Sequence, residues 1–221
     1  MLTRLAAERA TGTLHRERGS LHLAHGQVVH AESPSSPGAD TLLRAAPAHP
    51  PLPRAALELC RLAALYDAAY FALAPSSAPG RFRYGTAAAD GGTRPVPVAV
   101  LERTVLRRRA LLDRIWPDAR ADTAPLVRTG DGREPGAARS VTARQRAVLE
   151  WVDGVRTAPD IARELRRQGF HTLVDVRRLA AAGLLHPAVP APTPPPMTRP
   201  DPDPHPDITL LKRLRDALEA L

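Results

Sequence analysis

The chain has 221 residues, of which 43% are hydrophobic, so it is long enough to form two small domains with buried cores. Its single cysteine excludes an intrachain disulfide, and no stretch approaches the roughly 18 apolar residues of a membrane-spanning helix, so we expect a cytoplasmic protein without a membrane partner. The formal net charge of +8 is dispersed, because residues 1–97, 98–139 and 140–187 carry +3 each; this permits a nucleic-acid partner without indicating one.

The first recognisable element is a β-hairpin within residues 20–31. Two runs that alternate between apolar and polar side chains flank His25-Gly26, a pair typical of a tight turn in which both residues have φ > 0. The simplest register places Leu21 opposite His30 and therefore predicts His22 and His30 on opposite faces of the sheet. A bulge at Gly26 would exchange the two faces.

The elements around this hairpin complete a longer pattern. A short helix at 2–9 and a strand precede the hairpin, while a helix at 54–66 and an aromatic strand at 69–73 follow it. With the hairpin motif x-G-x-V-V-H-A, residues 1–90 resemble the PATAN domain, a bacterial signalling module found beside receiver, GTPase-associated and winged-helix partners. The resemblance implies an α+β domain, bounded at 1–95, that binds a signalling partner and has no catalytic residues.

A strand at 81–84 and a long helix at 97–116 are predicted next. The helix carries the run from Arg107 to Arg109, and adjacent residues of a helix point in different directions. A solvated basic face is therefore the first interpretation, and a phosphate-contacting patch is the alternative. We assign 96–139 to this connecting helix and a linker, with the boundary of the next domain at 131–139.

Residues 140–187 predict three short helices followed by a strand. Thr142 and Thr157 are expected to cap the first two helices, and Thr172 the third, which we place at 173–182. Three helices joined by tight turns and followed by a strand form the helix-turn-helix pattern with the start of a wing. The segment also resembles the winged-helix units that accompany PATAN domains.

This second domain has two alternative functions. In a DNA-binding domain the third helix would enter a major groove, and exposed side chains on it and near it would contact bases or phosphates. The candidate DNA contacts are Arg166, Arg167, His171, Thr172, Arg177 and Arg178. Asp175, which would also be exposed and would repel phosphate, and a strand without a returning partner favour a protein-docking or dimerising module instead.

A proline-rich spacer at 188–206 leads to a terminal amphipathic helix at 207–221. The predicted partner-binding stripe of this helix consists of Ile208, Leu211, Leu214, Leu218 and Leu221. Because an isolated helix of about fifteen residues is marginally stable, we expect it to dock. The alternatives are its own domain, a second copy of the chain in a homodimer, and a groove on another signalling protein.

The sequence contains no recognisable motif for catalysis or cofactor binding. It lacks the patterns G-x-x-x-x-G-K-[ST], G-x-G-x-x-G and H-E-x-x-H, so no enzyme is expected. No acidic or cysteine residue stands at ligand spacing from His15, His22, His25 or His30, so neither a metal nor another cofactor is expected. We predict a non-catalytic bacterial regulatory protein, either a signal-transduction adaptor acting through protein–protein contacts or, alternatively, a DNA-binding transcriptional regulator.

Overall fold

The computed structural model describes residues 1–44, 53–85, 94–129, 141–188 and 206–219. The chain divides into two compact units, Met1–Ala188 and Val189–Leu221. The structure is 52% helical and 17% strand, in agreement with the predicted α+β class. Among the described residues, no helix combines the length and the apolar character needed to cross a bilayer.

The first half of the larger unit is an antiparallel sheet with helices. Its elements are α1 (Leu2–Ala7), β1 (Gly12–Arg16), β2 (Gly19–Ala24), β3 (Gln27–Glu32), α2 (Ala39–Arg44), α3 (Arg54–Ala72), β4 (Arg81–Tyr84) and β5 (Val96–Pro97). The order across the sheet is β4-β1-β2-β3-β5, so the three consecutive strands lie at its centre. This arrangement leaves β4 and β5 as the edge strands.

The second half of the larger unit is mainly helical. Its elements are α4 (Val98–Ile115), a 3-10 helix (Ala119–Asp122), β6 (Leu126–Arg128), α5 (Ala143–Glu150), α6 (Ala158–Glu164), α7 (Gly169–Ala181) and β7 (Leu185–Pro187). The predicted caps at the first two helices of this domain are confirmed, since Thr142 with Gln145 and Thr157 with Asp160 each form a complete capping box. These local motifs stabilise the starts of α5 and α6.

The two halves have separate hydrophobic clusters that meet at α3. One cluster joins the inner face of the sheet to α1, α3 and α4, and includes Leu5, Leu14, Leu21, Leu23, Val28, Leu65 and Leu101. The other joins α5, α6 and α7 to the same two long helices, and includes Tyr70, Phe71, Val105, Leu112, Val148, Ile161, Leu173 and Val176. Since α3 and α4 contribute to both clusters, the predicted domains 1–95 and 140–187 lie in one compact unit.

The aromatic strand predicted at 69–73 is wrong, because these residues belong to α3. Their inward residues follow helical spacing, with Leu65, Ala68, Ala69 and Ala72 packed on the sheet. No glycine or proline separates them from the predicted helix at 54–66, so the helix continues. The adjacent Tyr70 and Phe71 project to the other side of α3, into the second cluster.

The predicted hairpin register is also wrong beyond its first two pairs. Leu23 pairs with Val28, but His22 pairs with His30 and Leu21 with Ala31, with the register shift between His22 and Leu23. The extra residue is Val29 rather than Gly26. This bulge keeps Leu21 and Ala31 in the core while it turns both histidines to the opposite face.

The face of the sheet opposite the helices is polar, and we call it the open sheet face. Residues that pair across neighbouring strands share a face, which brings together Thr13, His15, Ser20, His22, His30, Arg81 and Arg83. Of these residues, His15, Arg81 and Arg83 are exposed and the other four are half-buried. One apolar and one solvated face is usual in antiparallel sheets.

The final strand of the second domain does have a partner, contrary to expectation. β7 pairs in antiparallel fashion with β6, which precedes the three helices in the chain. The predicted wing without a returning strand is therefore a two-stranded sheet formed by residues on both sides of the helices. The residues that follow β7 do not reveal this partner strand, because β6 precedes the three helices in the chain.

The smaller unit contains α8 (Pro206–Glu219), which overlaps the predicted terminal helix at 207–221 and begins one residue before it. Leu218 of the predicted stripe is 69% exposed. The residues 131–139 and 189–205, Leu221, and the side chains of Ile208, Leu211 and Leu214 lie outside the described part of the chain. The docking partner predicted for this helix therefore stays a prediction.

Candidate functional site around helix α7

Helix α7 corresponds to the predicted third helix, but it begins four residues earlier than expected. Its first residue is Gly169, after the N-cap residue Gln168, so Thr172 lies inside the helix and does not cap it. Gln168 provides no side-chain hydrogen bond to the helix start. The first backbone N–H groups of the helix therefore require acceptors from elsewhere.

Those acceptors come from Asp67 on α3. Its Oδ2 accepts from the backbone N–H of Gly169 at 2.8 Å, and its Oδ1 accepts from that of Phe170 at 2.9 Å. The hydroxyl of Ser36 donates to Oδ2 at 2.5 Å. Asp67 is 0% exposed, and a buried carboxylate is tolerated only when such donors replace water.

The start of α7 also approaches α3 very closely. A Cβ atom at Gly169 would lie 2.6 Å from Cε2 of Phe71 and 2.8 Å from the carbonyl oxygen of Ser35, so only glycine fits without displacement. The ring of Phe170 packs edge-on against Tyr70, with centroids 5.3 Å apart. The helix dipole, the hydrogen bonds to Asp67 and the aromatic contact with Tyr70 therefore all hold the start of α7 against α3.

The basic run of α4 is only partly solvated. Arg108 donates to the carbonyl of Tyr66 at 2.8 Å and lies 4.6 Å from the ring centroid of Phe170, and Arg109 donates to the carbonyl of Leu73. Burial lowers the pKa of the Arg108 guanidinium. The predicted solvated face is therefore wrong for these two arginines, whereas Arg107 is exposed.

Arg177 is buried, contrary to the prediction of a DNA contact. Its side chain is 1% exposed, its Nε and Nη2 donate to the two carboxylate oxygens of Asp122 at 2.7 Å each, and Nη1 donates to the carbonyl of Trp116. Burial opposes the charge of Arg177, but the hydrogen bonds and charge of Asp122 outweigh this and raise its pKa. Arg177 therefore forms an internal ion pair with Asp122 and is not available to contact DNA in this structure.

Two further polar residues of α7 are buried against expectation. Thr172 is 1% exposed and its hydroxyl donates to the carbonyl of Gln168 at 3.2 Å. Asp175 is 5% exposed and accepts from Arg144 at 3.2 Å. The reason is that α3, α4, α5 and α6 all contact α7, so little of its circumference faces solvent.

The remaining predicted DNA contacts are accessible to different degrees. His171, Arg178 and Arg166 are exposed, while Arg167 is half-buried and donates to the carbonyl of Arg144 at 3.4 Å. Partial burial lowers the pKa of His171, and the positive charge of Arg144 contributes to the same effect. The exposed groups thus lie beside α7 or on a narrow strip of it.

His22 and His30 of the hairpin form a pair on the open sheet face. The rings of His22 and His30 are 5.3 Å apart between centroids; His30 Nε2 lies 3.2 Å from Oε1 of Glu32, and His22 Nδ1 lies 3.2 Å from Oγ1 of Thr13. In the part of the chain that the structure describes, no three His, Cys, Asp or Glu side chains are placed to hold a metal ion.

The sequence motifs did not identify Asp67 and Asp122 as site residues. A signal for Asp67 exists: it is the one charged residue in the run from Leu62 to Ala74, which otherwise consists of Leu, Ala, Tyr and Phe. A lone carboxylate in such a run is expected to be buried and hydrogen-bonded. Asp122 has no comparable signal, because it lies in a short polar segment.

In comparisons with known proteins, no family model, curated protein or solved structure matches this chain. The resemblance to the PATAN domain and to winged-helix units therefore rests on sequence motifs alone.

Asp67→Asn is expected to destabilise the larger unit by about 1–3 kcal/mol, because the amide would present N–H groups to buried N–H donors. Gly169→Ala should also be destabilising, since its Cβ would overlap the ring of Phe71. Urea unfolding monitored by circular dichroism measures both. Asp113→Asn, at an exposed position on α4, is the control and should change the unfolding free energy by less than about 0.5 kcal/mol.

The variants Arg177→Met and Arg178→Met compare how much a buried arginine and its exposed neighbour contribute to stability. Arg177→Met leaves the carboxylate of Asp122 without its partner and should cost about 3–5 kcal/mol. Arg178→Met should leave stability within about 0.5 kcal/mol of the native chain. Equal midpoints for the two variants in thermal unfolding would contradict the buried ion pair.

Proposed function

We propose that this protein is a non-catalytic signal-transduction adaptor that acts through protein–protein contacts of a PATAN-like and a winged-helix-like domain. The five-stranded sheet with helices on one face supports the first domain type. The three helices α5–α7 with the strand pair β6–β7 support the second. For such an adaptor, the surfaces that remain accessible determine which partner can bind.

One observation favours the adaptor: the start of α7 is buried inside the chain and capped by Asp67. In helix-turn-helix proteins, the amino-terminal residues of the recognition helix contact base edges in the major groove. Here Gly169, Phe170 and Thr172 are buried, and a carboxylate occupies the place where a phosphate or base would bind. DNA could reach these residues only if α7 left α3.

The open sheet face supplies a contact surface for the adaptor. Arg81 and Arg83 project from the edge strand β4, beside His15 and the pair His22–His30, and the acidic residue of this face is Glu32 at its other side. A surface with this excess of cationic and protonatable groups complements an acidic protein partner. The exposed Leu218 of the terminal helix would provide a second, apolar contact.

DNA-binding regulation is the second candidate, favoured by the exposure of Arg166 and Arg178. Two surface arginines can bind phosphates, but phosphate contacts alone position a protein without reading sequence. This candidate therefore requires α7 to leave α3, and it then predicts sequence-selective binding to promoter fragments.

The test begins with fluorescence anisotropy of full-length protein on promoter fragments and random duplex across a salt series. The adaptor predicts equal, weak binding that falls steeply with salt. Sequence-selective binding near physiological salt that is lost in Arg178→Ala would contradict it. Arg177 is unsuitable for this experiment, because its loss would act through stability.

The second arm identifies the partner by photo-crosslinking from His15 on the open sheet face in the source cells, followed by reconstitution with the purified partner. Arg81→Glu with Arg83→Glu should weaken that complex by about tenfold or more. Arg54→Glu, a charge reversal at an exposed position on α3, should have little effect. Equal loss from both charge reversals would assign the contact to another surface.

A further inference from the structure

A cavity of about 490 Å³ lies where the β1–β2 turn, the end of α3, α4, the 3-10 helix and α6 meet. We call it the inter-helix cavity. Its volume is in the range of about 300–1,000 Å³ that small-molecule sites usually have. Its apolar walls include Pro34, Phe71, Pro75, Pro159 and Leu173. All of these residues belong to the larger unit.

The two carboxylates of the inter-helix cavity are already neutralised. Asp122 accepts two hydrogen bonds of 2.7 Å from Arg177. Asp160 accepts from the hydroxyl of Thr157 at 2.6 Å and its backbone N–H at 3.0 Å, and it forms an ion pair with Arg163. The hydrogen bonds from Thr157 are the main reason that the pKa of Asp160 is lowered. Neither carboxylate is free to bind a cation.

Two arginines of the same cavity are not neutralised. Arg109 donates to the carbonyl of Leu73 and forms no ion pair with a described carboxylate. The guanidinium of Arg18 makes neither a hydrogen bond nor an ion pair with any residue that the structure describes. Arg18 comes from the β1–β2 turn and Arg109 from α4, so two arginines from different elements line one cavity.

Hydrogen-bond donors complete the lining. Tyr70 is 8% exposed, and burial, with a contribution from the negative charge of Asp122, raises its pKa to about 12, so its hydroxyl remains a donor at neutral pH. Ser35 and Thr123, which carry hydroxyl groups, are also among the residues that line the cavity. The polar groups left for a ligand are therefore largely donors and cations.

We propose that the inter-helix cavity binds an organic phosphate, with the phosphoryl group between Arg18 and Arg109 and the organic part against the Phe71 and Leu173 side of the cavity. A phosphate monoester carries a charge of about −1.5 to −2 at pH 7, which matches two guanidinium groups. Arginine binds phosphoryl oxygens through paired N–H groups. The ligand would link the sheet to α4, so this inference goes beyond the adaptor role and does not depend on it.

The experiment measures binding to full-length protein by isothermal titration calorimetry. The probes are phenyl phosphate, adenosine 5′-monophosphate and its uncharged counterpart adenosine. At least one phosphate is expected to bind with a dissociation constant below about 1 mM, while adenosine binds at least about tenfold more weakly. Arg18→Gln, at an exposed position that should not affect folding, is expected to weaken phosphate binding about tenfold or more.

Arg54→Gln is the matched control, because it removes the same charge from an exposed site remote from the cavity lining. Arg109→Gln, with its fold checked by circular dichroism, should weaken binding as Arg18→Gln does. Three results would overturn the proposal: no phosphate binds below about 10 mM, adenosine binds as tightly as its monophosphate, or Arg18→Gln and Arg54→Gln bind alike.

Discussion

The buried carboxylate of Asp67 is the interaction on which the arrangement of the larger unit depends. It lies on α3, which packs against the sheet, and its two oxygens accept the first two N–H groups of α7, 102 and 103 residues away in sequence. A carboxylate without water needs donors, and a helix start without a cap needs acceptors. Each group therefore removes the penalty that the other would incur on being buried without a partner when the two halves pack together.

With its start held at α3, the rest of α7 is surrounded by the other helices. Arg177 then lies where it can meet Asp122 of the 3-10 helix, and Asp175 where it can meet Arg144 of α5. Because of these contacts, α7, which was predicted to be a recognition helix, is packed at the centre of the surrounding helices. Among the described residues, the open sheet face, the exposed arginines Arg166 and Arg178 and the inter-helix cavity stay accessible to other molecules.

Local patterns in the sequence predicted local structure well, as the capping boxes at Thr142 and Thr157 show, because their partners are three residues away. Errors arose where distant contacts decide. In the sequence, Tyr70 and Phe71 are typical strand residues. In the structure they lie on a helix and pack into the cluster that contains residues of α7. The bulge at Val29 depends on the core, which buries both Leu21 and Ala31. The burial of Thr172 and Arg177 was not predicted because it depends on neighbouring helices, which cannot be placed from sequence alone.

Amide hydrogen exchange at Gly169 and Phe170, resolved by NMR, tests the central role of the Asp67 cap most directly. The account predicts that both amides exchange only on unfolding of the larger unit in the native chain, and that Asp67→Asn accelerates their exchange more than that of amides within α5. Fast exchange of these two amides in the native chain would contradict it, because it would mean that α7 leaves α3 readily and that its start is open to DNA.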